Sequence, residues 1–126
     1  MMTESNRQTA LLRAAKQELG RFFQMFADGV KGLTMPSKLI DLVWHGMQKT
    51  EAYTSFCLEN CGTLVQHAPI KGVGTVSWVK DYENRFGSLH PVWFMNENGR
   101  LDEQAYSEYE ASGNWHRASW DCGPKE

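Results

Sequence analysis

Asp41, His45, Cys57, Cys61 and His67 fall within 27 consecutive residues, and they are the side chains of this chain best suited to chemistry. Carboxylate, imidazole and thiolate are the ligands that zinc and other borderline transition metals take in tetrahedral sites. Asp41 and His45 are four residues apart, as are Cys57 and Cys61, so each pair shares one face if its segment is helical. Two such helices, antiparallel and joined by a two-residue connection, would set one pair against the other. His45, Cys57 and His67 are then the strongest ligands by type, with Asp41 either the fourth or the group that orients His45, for zinc or another borderline transition metal. The spacing is not that of a zinc finger, and a second reading stays open. An Asp four residues before a His also forms a plain helix ion pair, and a Cys on an apolar helix face is a small buried hydrophobe. A Cys57–His67 nucleophile pair lacks an oxyanion donor to complete it, and Tyr53 is the single acid or base at hand, so an enzyme is not the expectation.

The elements that must position these residues can be read from apolar spacing. Leu12, Ala15, Leu19, Phe22, Phe23, Phe26 and Val30 recur every three or four residues, which predicts a helix over about 7–30. Gly20 interrupts that stripe and predicts a kink or a close crossing. Ser37 is a good N-cap for a second helix to about Gln48, with Ile40, Val43, Trp44 and Met47 facing inward. Thr50 reads as the next N-cap, for a third helix through Tyr53, Phe56 and Cys57 toward Asn60, with Gly62 ending it in a left-handed conformation. Residues 63–75 read as a loop or short extended piece, and the Gly72-Val73-Gly74 run has no phosphate-binding context.

Ser77 to Phe86 predicts a fourth helix stopped by Gly87. Pro91 argues against a helix in the next segment, where Val92 to Met95 and the turn-like Asn96-Glu97-Asn98-Gly99 suggest a short hairpin or a buried loop. Asp102 caps a last helix to about Ser112, ended by Gly113. The tail from Asn114 to Glu126 carries Trp115 and Trp120, and is expected to pack back on the domain. The expected fold is mainly α: one compact domain over residues 1–126, with four to five helices and irregular, aromatic-rich connections.

The run Leu39-Ile40-Asp41-Leu42-Val43-Trp44-His45, followed by Thr50, Tyr53, Phe56-Cys57, Gly62 and His67-Ala68-Pro69, resembles the Trp-His segment of the glycine-rich domain-containing protein-like family. With the later Tyr82-x-x-x-Phe86-Gly87, the resemblance covers residues 30–95. Ala68 and Met47 stand where family members carry further histidines. The resemblance implies a small helical domain with paired Trp-His and Cys-His groups, and singles out Asp41, His45, Tyr53, Cys57 and His67 without assigning them roles.

Composition narrows the function classes. With 41% hydrophobic residues the chain can bury a core, which argues against disorder. No apolar run approaches the roughly 20 residues of a membrane span, and the polar start lacks the apolar stretch of a secretory signal, so a cytoplasmic, soluble protein with no membrane partner is expected. Three cysteines cannot all pair within one chain, which favours free thiols or metal ligands. The net charge of -2 divides unevenly, +2 over residues 1–76 and -4 over residues 77–126. Neither half is a basic surface, so no nucleic-acid partner is expected. The aromatic content and acidic charge of the second half suggest a binding module of the immunity, adaptor or inhibitor type. Trp93, Trp115 and Trp120 would be its anchors and Asp102, Glu103, Glu108 and Glu110 its charged rim, for a protein partner. The alternative is a transition-metal protein built on Asp41, His45, Cys57 and His67.

Overall fold

The computed structural model describes residues 3–126. The Thr3 hydroxyl accepts the Asn6 N–H at 3.1 Å, and so begins a long first helix, α1 (Glu4–Ala27). Its buried side is formed by Ala15, Leu19, Phe22, Phe23 and Met25, while Leu12 points outward and Leu11 packs on the core in its place. α1 runs on unbroken through Gly20. A Cβ there would run into the Asn60 side chain, so the glycine allows α3 (Ala52–Cys61) to cross α1 closely.

Ser37 caps α2 (Lys38–Gln48): its hydroxyl accepts the Ile40 N–H at 3.1 Å and donates to the Val92 carbonyl at 2.9 Å. Thr50, by contrast, does not cap α3. Its hydroxyl bonds back to the Met47 carbonyl at 2.8 Å, and α3 begins after Glu51 without a side-chain cap. Gly62 ends α3 in the left-handed region at φ 74°, as only glycine does without strain. The short α4 (Val79–Phe86) stops at Gly87.

Pro91 was expected to rule out helix in its neighbourhood, but it opens a 3-10 turn, Pro91–Phe94. At the first helical position its missing N–H is not needed. The following segment closes on itself as a bridge between Met95 and Leu101, the small hairpin-like feature anticipated there. Asp102 then caps α5 (Glu103–Ser112), accepting the Ala105 N–H at 3.1 Å, and Gly113 ends it.

The core is a set of edge-on aromatic contacts. Phe22 lies 5.5 to 6.2 Å, centroid to centroid, from Trp44, Trp78 and Trp93, and Phe23 meets Trp44, Tyr53 and Phe56. Such geometry adds about 0.5–1.5 kcal/mol per pair beyond the area buried. Inside this core lies Glu18. Its carboxyl accepts the Trp93 indole N–H at 3.0 Å and the Tyr82 hydroxyl, and pairs with Arg21 at 3.1 Å, so a buried acid is fully partnered. The same burial holds the Tyr82 hydroxyl well above its usual pKa.

Trp93 and Trp115 were expected at a partner surface, and the structure corrects this. Both are buried, Trp93 among Phe22, Trp78 and Tyr82, and Trp115 against Phe94 at 4.2 Å. Large aromatics in so small a domain are consumed by the core, where each stabilises by roughly 1.5–3 kcal/mol. Trp120 is half-buried.

The tail does fold back. It forms β3 (Ala118–Trp120) and β4 (Gly123–Pro124), each antiparallel to a piece of the 63–75 segment: β4 to β1 (His67–Ala68) and β3 to β2 (Gly72–Gly74). The two glycine positions explain the fit. A Cβ on Gly72 would meet the Trp120 indole at 2.6 Å, and one on Gly123 would meet the Leu33 carbonyl oxygen at 2.5 Å. The result is a mainly α single domain of five helices with two very short two-stranded sheets, among the described residues. No helix among them is long and apolar enough to cross a membrane.

Candidate metal centre

Three chain segments meet beside the α2 face that carries Asp41 and His45. One ligand atom from each of Asp41, His45, His67 and Cys122 lies within 4.8 Å of every other. α2 supplies the first two, one turn apart. β1 supplies His67, and the residue just before β4 supplies Cys122.

Each position has a local cause. His67 is carried by a strand whose approach is fixed by a hydrogen-bond relay: the Trp44 indole N–H donates to the Tyr53 hydroxyl at 3.0 Å, which donates to the Val65 carbonyl at 2.5 Å. Trp44 also packs edge-on against His67, with centroids 5.0 Å apart. The Trp of the Trp44-His45 pair therefore places His67, while the His takes part in the group. Tyr53, the sequence's one acid or base candidate, is occupied at both ends of this relay. Burial raises its pKa well above the usual phenol range. Cys122 is seated by backbone pairing on both sides: its carbonyl accepts the Met35 N–H at 2.9 Å, and its neighbour Gly123 pairs with Ala68. Lys38 reinforces the approach with an ion pair to Asp121 at 3.2 Å.

Within the group, Asp41 Oδ1 is the hub. It accepts the Cys122 thiol at 3.0 Å and faces His45 Nε2 at 3.2 Å. The His45 and His67 rings stand 4.5 Å apart at 68°. His67 has its pKa lowered, first by burial and then by the neighbouring His45, with Asp41 opposing both. Burial and the adjacent Asp41 carboxylate push the Cys122 thiol far up. The cluster thus combines two imidazoles, a carboxyl group and a soft thiol, with His45 facing solvent and Cys122 enclosed. His67 Nε2 is buried and has no hydrogen-bond partner.

Cys57, expected as a ligand, does not belong to this group. It is fully buried on α3, and α3 packs far more extensively on α1 than on α2. α2 and α3 each pack mainly on α1 and only slightly on one another, and Cys57 is not brought into the group with Asp41 and His45. Cys61 is also elsewhere, its thiol directed to the Cys57 carbonyl at 3.2 Å and the Thr63 carbonyl at 3.3 Å. All three cysteines are free thiols.

Cys122 takes the place given to Cys57, and a sequence signal for it exists. Ala118, Trp120 and Cys122 alternate with Ser119 and Asp121, the two-residue period of a strand with one face inward. Of the acidic residues proposed as a rim, Asp102 is exposed but serves as the cap of α5, Glu103 and Glu110 are exposed on α5, and Glu108 pairs with Arg117 at 3.4 Å. His90 and His116 have local duties: His90 Nδ1 accepts the Val92 N–H at 3.0 Å, and His116 Nδ1 bonds Thr75 Oγ1 at 3.1 Å.

The fold and the site together describe a small mainly α domain with one four-residue group of metal-ligand type. Compared with family models, curated proteins and solved structures, the chain matches none.

Proposed function

We propose that this protein binds a transition metal ion, zinc in the first instance, through Asp41, His45, His67 and Cys122. The observation that carries the reading is the convergence of four different ligand side chains, from three separate segments, within 4.8 Å. Two imidazoles, a thiolate and a carboxylate suit the borderline, tetrahedral preference of zinc. The buried, unpartnered Nε2 of His67 supports it further, since such an atom normally has a partner. Asp41 now hydrogen-bonds the thiol, and coordination would release that proton, giving a metal, a thiolate and a carboxylate whose charges cancel. Four protein ligands fill a tetrahedral zinc, which favours a structural or storage role over a hydrolytic one.

The test is elemental analysis and zinc titration calorimetry on protein purified without chelator or a metal-binding tag. About one zinc per chain is expected, lost in His45→Ala and Cys122→Ser and kept in Cys57→Ala. No metal in the wild type, with no heat on titration, would refute the reading. We carry the resemblance of residues 30–95 to the glycine-rich domain-containing protein-like family as part of the same proposal, since its Trp-His pair, Tyr53 and His67 all serve this one site.

A second reading, a protein partner, retains one supporting observation: Glu103 and Glu110 on α5 are exposed and have no ion-pair partner among the described residues. Charge reversal at these two positions should weaken capture of a basic partner while leaving zinc binding unchanged.

A further inference from the structure

Cys122 differs from the other three members of the metal group in what holds it. Asp41 and His45 sit on α2, and His67 follows on β1, whose approach Trp44 and Tyr53 fix from the core. Cys122 arrives more than fifty positions later, on a strap of residues 117–126 that returns across the domain. Backbone pairing does most of the work of holding this strap: three paired positions in β3, two in β4, the Met35 N–H to the Cys122 carbonyl at 2.9 Å and the Lys125 N–H to the Gln66 carbonyl at 2.8 Å. Its ion pair, Lys38 with Asp121, is largely exposed and adds little. Apolar anchoring is thin as well. Of the strap's side chains Ala118, Cys122 and Pro124 are buried and Trp120 half-buried, whereas α1 alone encloses Leu19, Phe22, Phe23 and Met25. Segments with few buried apolar contacts and short hydrogen-bond ladders are the ones that open locally.

We propose that the metal acts as a latch on this strap: bound, it ties residues 117–126 to α2 and β1 through Cys122, and without it the strap opens by itself while the helical core stays folded. The latch rests on the metal reading of Asp41, His45, His67 and Cys122. A metal that needs the Cys122 thiolate binds the closed strap in preference to the open one, so its binding free energy is added to the cost of opening. In the metal-free chain the side-chain tie at Cys122 is the thiol hydrogen bond to Asp41 at 3.0 Å, and a thiol is a weak donor.

The strap is also a wall. Arg117, Ala118 and Ser119 line a cavity of about 360 Å³ whose other walls include Lys38, Met95 and Leu101. Opening the strap removes that wall, so the metal group, on α2 and β1, governs the shape of a cavity that none of its four residues lines.

Limited trypsin digestion of the full chain, with zinc content measured first and the fragments identified by mass, tests the latch. Arg117 immediately precedes β3 and Lys71 immediately precedes β2, so cutting after either requires the β2–β3 pairing to open, whereas Lys49, between α2 and α3, is an exposed site outside the strap. Cleavage follows the population of the opened form when reclosing is faster than cutting. With zinc at 100 times its dissociation constant, cleavage after Arg117 and Lys71 should be slower than in metal-free protein by about ten-fold or more, with the rate at Lys49 unchanged. His45→Ala and Cys122→Ser should be cut at the metal-free rate with or without zinc. His45 lies off the strap, so its variant separates the effect of the metal from any change in the strap itself, and the serine hydroxyl at position 122 can still donate to Asp41. Equal rates at Arg117 and Lys71 with and without zinc, in wild type carrying about one zinc per chain, would overturn the latch and leave the metal site standing. Equal slowing at Lys49 would mean a general stabilisation and would also overturn it. A chain that takes up no zinc ends the metal reading, and the latch with it.

Discussion

Two polar clusters are set into this aromatic domain, and they differ in how completely they are satisfied. Around Glu18, a carboxyl, a phenol, an indole and a guanidinium complete one another: Tyr82, Trp93 and Arg21 all bond the same acid inside the core. Around Asp41, the side chains are of metal-ligand type, the group opens toward solvent at His45, and His67 keeps a buried nitrogen with no partner. A network that closes on itself specifies a fold. A network of soft and borderline ligands that does not close has room for a partner from outside, which is the proposal made for this site.

That contrast can be broken first at Glu18. Glu18→Ala leaves the Trp93 N–H without a partner in the core, removes the acceptor of the Tyr82 hydroxyl and the counterion of Arg21, which keep only each other, and should cost about 3 kcal/mol in urea unfolding. Any variant that still folds should bind zinc with unchanged stoichiometry, because the two clusters share no side chain. Loss of zinc binding with little loss of stability would mean the two regions are not separate.

The reverse experiment adds metal. Zinc at 100 times its dissociation constant should stabilise the wild type by about 2.7 kcal/mol, seen as a rise in Tm, and should leave Cys122→Ser unmoved. An equal rise in both would place the zinc at some other site.

The cysteines sharpen the comparison at smaller amplitude. Cys57→Ala empties a little volume between α3 and α1 and should cost about 1 kcal/mol in chemical denaturation while zinc uptake persists. Cys122→Ser should show the opposite pattern, with metal lost and the fold kept. Exchange of these two outcomes would return the site to the arrangement expected from sequence.

A further effect lies where Tyr109 of α5 meets Glu83 of α4, the Tyr109 hydroxyl also accepting the Leu89 N–H at 2.8 Å. The Tyr109 hydroxyl donates to Glu83 at 2.6 Å and, with Lys80, holds the Glu83 carboxyl below its ordinary value of 4.5. A depressed folded-state pKa contributes stability that is present above 4.5 and lost as pH falls through the folded value. Tyr109→Phe should flatten the acid limb of the stability profile below that pH without altering zinc affinity at neutral pH. An unchanged acid limb would mean this pair adds nothing.

Much of this molecule was legible in its sequence, and what was missed has physical causes. Ser37, Asp102, Gly62 and Gly113 acted as the caps their types suggest, because capping depends on a few adjacent backbone groups. The grouping of Asp41, His45 and His67 was also legible from type and spacing, since two lie on one helical turn and the third on the segment that follows. Cys57 was assigned in place of Cys122 because spacing along the chain does not show which helix a face packs against, and α1 claimed that face. The tail that brings Cys122 is held by pairings with residues about fifty positions earlier, which no local pattern reports. Trp93 and Trp115 were read outward for a related reason: aromatic residues serve cores and interfaces alike, and a 126-residue chain with five tryptophans needs them inside.

Cobalt(II) titration followed by absorption spectroscopy tests the central claim most directly, because a thiolate-to-cobalt charge-transfer band reports sulfur in the coordination sphere and the visible bands report tetrahedral geometry. The account predicts a tetrahedral spectrum that saturates at about one cobalt per chain, keeps its thiolate band in Cys57→Ala and Cys61→Ser, and loses it in Cys122→Ser. A spectrum without a thiolate band, or one that survives in Cys122→Ser and vanishes in Cys57→Ala, would contradict it.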